Sequence, residues 1–193
     1  NGAHFGPDAI GGAINFVTDV DYTNSYSLNG LSPKNNSVDY NTTKITNSGW
    51  HLNFKGAANQ SETDSALAKG NEYDGSKNYQ VNLNGVKWLN DNIKFKNTFY
   101  YRDTKSDYDS SNTAEESVTA DNKMYALQTG VEQKKQNSLD SLIFHYHNYD
   151  RKYYVQGKKD KYYSESFVAK AEREVVPNDK LSYGFGSEYK YDW

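Results

Sequence analysis

Ile93-Lys94-Phe95-Lys96-Asn97-Thr98-Phe99-Tyr100-Tyr101-Arg102 sets Ile93, Phe95, Phe99 and Tyr101 on one phase and Lys94, Lys96, Thr98 and Arg102 on the other. Successive side chains of an extended chain point to opposite faces, so this period of two makes a strand with one apolar and one wet face. The pattern spreads outward from there. Trp50, Leu52 and Phe54 oppose His51, Asn53 and Lys55, and Tyr79, Val81 and Leu83 oppose Asn78, Gln80, Asn82 and Asn84. Leu181, Tyr183, Phe185, Tyr189 and Tyr191 oppose Ser182, Gly184, Gly186, Glu188 and Lys190. No helical periodicity competes. Strands are predicted at 22–31, 37–46, 50–61, 77–88, 93–103, 122–133, 138–150, 162–175 and 180–193.

The connections refine this. Thr46-Asn47-Ser48-Gly49, Leu89-Asn90-Asp91-Asn92, Lys134 to Asn137 and Pro177-Asn178-Asp179-Lys180 carry tight-turn chemistry. Between them fall polar stretches read as long loops, near 61–77, 104–121 and 151–161, preceded by a shorter one near 32–36. Long and short connections then alternate, as in up-and-down outer-membrane barrels with short periplasmic turns and longer extracellular loops. Greek-key crossings would break that alternation. The predicted fold class is therefore all-β, an antiparallel up-and-down transmembrane β-barrel portion of about nine strands.

Composition agrees with a barrel and excludes other classes. Only 35% of the 193 residues are hydrophobic, but a barrel strand shows apolar groups to lipid at every second position only. No run of 18 or more apolar residues exists, which excludes a transmembrane helix. Eighteen tyrosines and 15% aromatics suit interfacial aromatic girdles, although soluble β proteins can also be tyrosine-rich. Without cysteine there are neither disulfides nor thiolate metal sites, and a net charge of −3 gives no reason to expect nucleic acid.

Ahead of the strands lies Phe5-Gly6-Pro7-Asp8-Ala9-Ile10-Gly11-Gly12-Ala13-Ile14-Asn15-Phe16-Val17-Thr18. Gly6-Pro7-Asp8 reads as a turn, Gly11-Gly12 as a close backbone approach, and Ala13 to Val17 as a short strand covered on both faces. The stretch resembles the last segment of the plug domain of TonB-dependent outer-membrane receptors, roughly Tyr-Gly-x-x-Ala-x-Gly-Gly-Val-Ile-Asn-Ile-x-Thr. Gly6, Ala9, Gly11, Gly12, Ile14, Asn15 and Thr18 meet that pattern, while Phe5, Ala13 and Phe16 depart mildly from it. The resemblance implies plug residues at 1–20 and the N-terminal part of a barrel at 21–193. Barrels of this class have about 22 strands around a plugged lumen. Asn1, with no initiator methionine or signal peptide, and Trp193, inside an alternating run, predict an internal piece of a longer protein.

Within that family the chain looks most like vitamin B12 (cobalamin) receptors, which carry Gly-Ser-Asp-Ala-Ile-Gly-Gly where this chain has Gly6-Pro7-Asp8-Ala9-Ile10-Gly11-Gly12. A tyrosine-bearing polar stretch, Gly70 to Gly75, and then Tyr100-Tyr101-Arg102-Asp103 and Asp107-Tyr108-Asp109 follow in a similar order. The resemblance implies active uptake of a scarce small-molecule nutrient, cobalamin, with TonB as partner through plug residues outside this chain, in the outer membrane of a Gram-negative bacterium and in contact with its lipid. A ferric siderophore receptor is the alternative ligand class. It also implies calcium held by acidic side chains of early outer loops. The acidic residues here are Glu62, Asp64, Glu72 and Asp74, then Asp103, Asp107, Asp109, Glu115, Glu116 and Asp121, with Asp64, Asp74, Asp107 and Asp109 as the candidate ligands. Calcium takes six to eight oxygens, and no EF-hand spacing is present. A solvated acidic surface is the plainer alternative.

His145 and His147 share a strand face two residues apart, close enough to ligate one metal, yet equally at home as lumen-lining polar groups. Lys152, Lys158, Lys159 and Lys161 could meet anionic head groups or simply be solvated. No Ser-His-Asp order, phosphate loop or paired-carboxylate motif points to an enzyme. Other readings are a non-transporting outer-membrane barrel, such as an adhesin, and a soluble β-rich binding module.

Overall fold

The computed structural model describes residues 24–32, 35–64, 73–109, 117–155, 158–178 and 181–193. The strands are β1 (Ser25–Ser32), β2 (Asn35–Ile45), β3 (Trp50–Asp64), β4 (Tyr73–Asn90), β5 (Ile93–Asp109), β6 (Ser117–Lys135), β7 (Ser138–Val155), β8 (Lys158–Asn178) and β9 (Leu181–Asp192). They form one antiparallel sheet in sequence order, each strand paired with the next. The sheet is not closed: β1 and β9 are its edges. The described residues contain no helix. The plug stretch 1–20, with all seven of its motif residues, lies outside the described residues.

The turns follow their local chemistry. Gly49 takes a positive φ of 80°, and its amide donates to the Thr46 carbonyl at 3.0 Å, while the Trp50 amide donates to Thr46 Oγ1 at 3.0 Å. Between β4 and β5, the Asn92 and Ile93 amides both donate to Asn90 Oδ1 at 2.9 Å, a side-chain bond that closes the Asp91-Asn92 turn.

One expectation needs correcting. The stretches read as long loops are largely strand. β3 runs to Asp64 and β4 starts at Tyr73, β5 runs to Asp109 and β6 starts at Ser117, and β7 and β8 leave only 156–157 between them. The strict alternation of long and short connections therefore fails at β7–β8. These segments carry charge on the face that is apolar further down the strands, which mimics a loop in sequence, although Val118 and Ala120 are buried on the other face. The backbone ladder is indifferent to that, and cross-strand ion pairs such as Lys123 Nζ to Asp103 Oδ2 at 3.2 Å favour it. The β3–β4 and β5–β6 connections do fall at one end of the sheet, opposite the turns at 47–49 and 91–92, as the up-and-down order requires.

Candidate functional site: a two-faced wall

Register converts the sequence phases into faces, because residues directly opposite in an antiparallel ladder share one. Thr42, Phe54, Leu83, Phe99, Leu127, Tyr146, Phe167 and Tyr191 form one continuous rung across β2 to β9. With the rungs above and below, it makes an apolar face. That face is open: Leu28, Tyr40, Leu52, Leu83, Phe99, Leu127, Leu142, Phe144, Phe185 and Tyr189 are all exposed. Tyr40 meets Phe54 at 6.0 Å between ring centroids, Trp50 meets Phe95 at 5.9 Å, and Phe144 stacks on Phe167 at 6.4 Å.

The opposite face is polar and better covered. Asn53 there is only 1% exposed; its Nδ2 donates to Asn41 Oδ1 at 2.7 Å and Thr43 Oγ1 at 3.2 Å, and its Oδ1 accepts from Asn84 Nδ2 at 3.3 Å. Thr98 Oγ1 carries the chain on to Asn84 Oδ1 at 3.0 Å, so a hydrogen-bonded belt crosses four strands. Arg102 Nε and Thr104 Oγ1 both donate to Asn78 Oδ1. Amides buried this deeply are tolerable only when paired in this way. His145 and His147 belong to the same face, with ring centroids 5.5 Å apart.

The apolar band crosses the rungs obliquely. On β1 to β4 its upper limit is the rung Leu28, Val38, Ala58 and Tyr79. On β5 and β6 it lies one same-face position lower, at Tyr101 and Tyr125, because Tyr79 pairs with Asp103. On β7 to β9 it lies lower again, at Tyr146, Phe167 and Tyr191. At the lower limit the band follows, from Trp50 and Phe95 to Phe185 and Tyr183. A slanted band is what a plane cuts across tilted strands. Along β3, Trp50 to Ala58 spans about 27 Å of strand at roughly 3.4 Å per residue. Tilted by about 40°, that covers about 21 Å, close to the height of a lipid-facing band.

Both borders of the band are polar. At its upper limit Glu165 Oε1 accepts from Tyr146 Oη and from Asn148 Nδ2, each at 3.0 Å, and from the Tyr163 hydroxyl. Below it, Asp140 accepts from Arg173 through both carboxylate oxygens and from Lys135 Nζ at 2.7 Å. The Arg173 hydrogen bonds, with those of Lys135 and the two cationic charges, hold the Asp140 carboxyl well below the usual carboxylate range.

Of the predicted calcium ligands, Asp74 and Asp107 are set apart from each other. Asp107 pairs with Gly75, so the neighbouring Asp74 stands on the opposite face from Asp107. Asp64 and Asp109 end β3 and β5, their backbones paired with Tyr73 and Ser117. Among the carboxylates that register places on one face are Glu62 and Asp107, with Gly75 between them. Thr119 Oγ1 donates to Asp107 at 2.6 Å and Gln60 Nε2 to Glu62 at 3.1 Å. Among the described residues no group of three or more histidine, aspartate or glutamate side chains gathers as a metal site would require. These carboxylates fall short of the six to eight oxygens calcium takes, so no step is built on that ion.

Sequence reading missed the asparagine belt and the charge order of the upper rungs, since both depend on which strand stands beside which. No protein-family model matches the chain, and no curated protein matches it significantly.

Proposed function

We propose that this chain is part of a TonB-dependent outer-membrane receptor, with β1 to β9 as wall strands of its barrel. The single observation that carries the membrane reading is the slanted, open apolar face backed by a hydrogen-bonded polar face. On this reading the lipid-facing stretches are Trp50–Ala58, Tyr79–Gly85, Phe95–Tyr101, Tyr125–Val131, Leu142–Tyr146, Phe167–Ala171 and Tyr183–Tyr191, with β1 and β2 continuing the wall beside β3. The belt of Asn41, Asn53, Asn84 and Thr98 faces a wet lumen. Lipid cannot satisfy open strand edges, each unpaired group costing several kcal/mol, so strands beyond these nine close the barrel.

The receptor assignment adds the resemblance at Gly6, Ala9, Gly11, Gly12, Ile14, Asn15 and Thr18, which would be the last plug segment leading into β1. TonB would act on plug residues outside this chain, rearranging the plug to open a path through the lumen. Cobalamin is the proposed ligand, with a ferric siderophore as the second reading from the same motif.

The test is uptake of labelled cobalamin by cells making the complete protein, with and without TonB. TonB-dependent accumulation supports the assignment. Uptake that is equal in the two strains and unchanged by Gly11→Leu would sink it. Accumulation of a ferric chelate in place of cobalamin would select the second reading.

A further inference from the structure

Above the apolar band, and on the same face, one rung reads Lys77, Lys105, Asp121, Lys152, Lys161 across β4 to β8; it lies one same-face position above the band on β4, two on β5 and β6, and three on β7 and β8. Lys77 stands directly opposite Lys105, and Lys152 directly opposite Lys161. Like charges placed opposite each other destabilise a sheet. A chain free to scatter its lysines has set two such pairs in one line.

The two pairs are neutralised to different degrees. Asp150 Oδ2 lies 3.4 Å from Lys152 Nζ and 3.8 Å from Lys161 Nζ, and Lys161 also sits 5.5 Å from the Tyr163 ring centroid. Lys77 and Lys105 make no ion pair with a described residue. Both are exposed, and they border a depression of about 220 Å³ over Gly75. The carboxylates sharing that depression, Asp107 and Glu62, already accept from Thr119 and Gln60. Lys77 and Lys105 thus bring paired ammonium groups close to the edge of an apolar surface, one and two same-face positions above Tyr79 and Tyr101.

We infer that the Lys77–Lys105 pair is a docking point for the phosphate group of a lipid head group in the leaflet at this end of the barrel. The inference rests on the membrane reading proposed above. A phosphate oxygen set can accept from two ammonium groups at once, turning a repulsive pair into a bridged one. The acyl chains of the same lipid would lie down the apolar face through Tyr79 and Tyr101 toward Leu83 and Phe99. Proximity of this pair to the apolar band is what selects a lipid over a free anion. Lys152 and Lys161, three positions above the band and already beside Asp150, are not part of this site.

The experiment uses the complete protein in mixed bilayer nanodiscs, with native mass spectrometry of the lipids it retains. Phosphatidic acid and phosphatidylcholine are offered in equal amounts, with and without inorganic phosphate. Wild-type protein should retain phosphatidic acid preferentially. Lys77→Gln/Lys105→Gln should cut that preference by about thirtyfold, as expected for two lysines near an anionic surface, and Lys152→Gln/Lys161→Gln should leave it nearly unchanged. Lys55→Gln, on the polar face, should leave it unchanged. Equal retention of both lipids by the wild type, no effect of Lys77→Gln/Lys105→Gln, or an equal loss in Lys152→Gln/Lys161→Gln overturns the inference while leaving the barrel standing. An equal loss in Lys55→Gln would mean that net charge alone is responsible. Displacement by inorganic phosphate would make this a free-anion site. Failure to enter the bilayer at all would instead bring down the membrane reading on which it rests.

Discussion

Replacing Leu127 by lysine separates a lipid-facing sheet from a solvated one, because the two predict different costs at one position. Leu127 sits in the middle rung of the apolar band, between Phe99 on β5 and Tyr146 on β7, and is 49% exposed. In water, a half-exposed leucine on an open sheet surface is replaced at little cost, within about 0.5 kcal/mol. In lipid, a lysine at mid-depth costs about 2–4 kcal/mol, because its ammonium must be dragged toward the head groups or carry water inward. The control is its neighbour. Gln128 is exposed on the opposite face, between Thr98 and His145, and there a lysine enters a wet lumen at nearly no cost. The assay is reversible urea unfolding of the complete protein in phospholipid vesicles, read by tryptophan fluorescence. The expected result is a loss of about 2–4 kcal/mol for Leu127→Lys and under about 0.5 kcal/mol for Gln128→Lys. Equal and small effects at both positions would refute the lipid-facing assignment. A larger loss at Gln128 would mean that the faces have been assigned the wrong way round.

Asn53→Ala should cost about 2–3 kcal/mol in the same assay, since it strips partners from Asn41, Thr43 and Asn84 in a nearly dry position; a cost below about 0.5 kcal/mol would show that water replaces the belt. Asp140→Asn should lower the melting temperature at pH 7. The folded carboxyl titrates below its ordinary range, so its contribution is full above the unfolded carboxylate pKa and fades as pH falls through the folded one. Melts at pH 7 and pH 3 should show the difference between Asp140→Asn and wild type shrinking in acid, and a difference that grows in acid would contradict the Arg173 and Lys135 pairing. Gly186→Ala would place a Cβ 2.6 Å from the Ala171 carbonyl oxygen. It should accelerate amide exchange along β9 while leaving β5 and β6 unaffected, and unchanged exchange on β9 would mean that the two strands move apart without penalty.

The fold was legible because its signal is periodic. Trp50-Leu52-Phe54 and Ile93-Phe95-Phe99-Tyr101 announce their own apolar face before any partner strand is known, and nine such runs joined by turn chemistry admit few other topologies. Strand length was not legible. Above the band, Lys105, Asp107, Asp121 and Lys152 put charge on the face that is apolar lower down, so the local apolar alternation that marks a strand breaks off there. The site was harder still. Four aspartates close in sequence looked like one cluster, but Asp74 and Asp107 fall on opposite faces because Gly75, not Asp74, is opposite Asp107. A one-residue change of register exchanges every face assignment in a strand, so clustering across strands cannot be read along one.

What covers the apolar face decides between the remaining readings. A single sheet whose neighbours are all sequential provides no second layer among the described residues, and soluble monomers rarely leave apolar patches beyond a few hundred Å². A second sheet could cover the face in a sandwich. The borders argue against it. Sandwich cores end at loops, whereas here the same strands run on for several rungs, exchanging Leu83, Phe99 and Leu127 for Lys77, Lys105 and Asp121 without interrupting the ladder. Tyr79, Tyr101, Tyr125 and Tyr146 stand at that exchange, with Asp103 beside the Tyr101 hydroxyl at 3.2 Å and Glu165 beside that of Tyr146. Tyr101 and Tyr146 thus each have an apolar band below and a polar partner at the hydroxyl, the partition that a membrane interface imposes on aromatic side chains. A protein partner would need to reproduce that gradient along an oblique line over seven strands. A bilayer has it already.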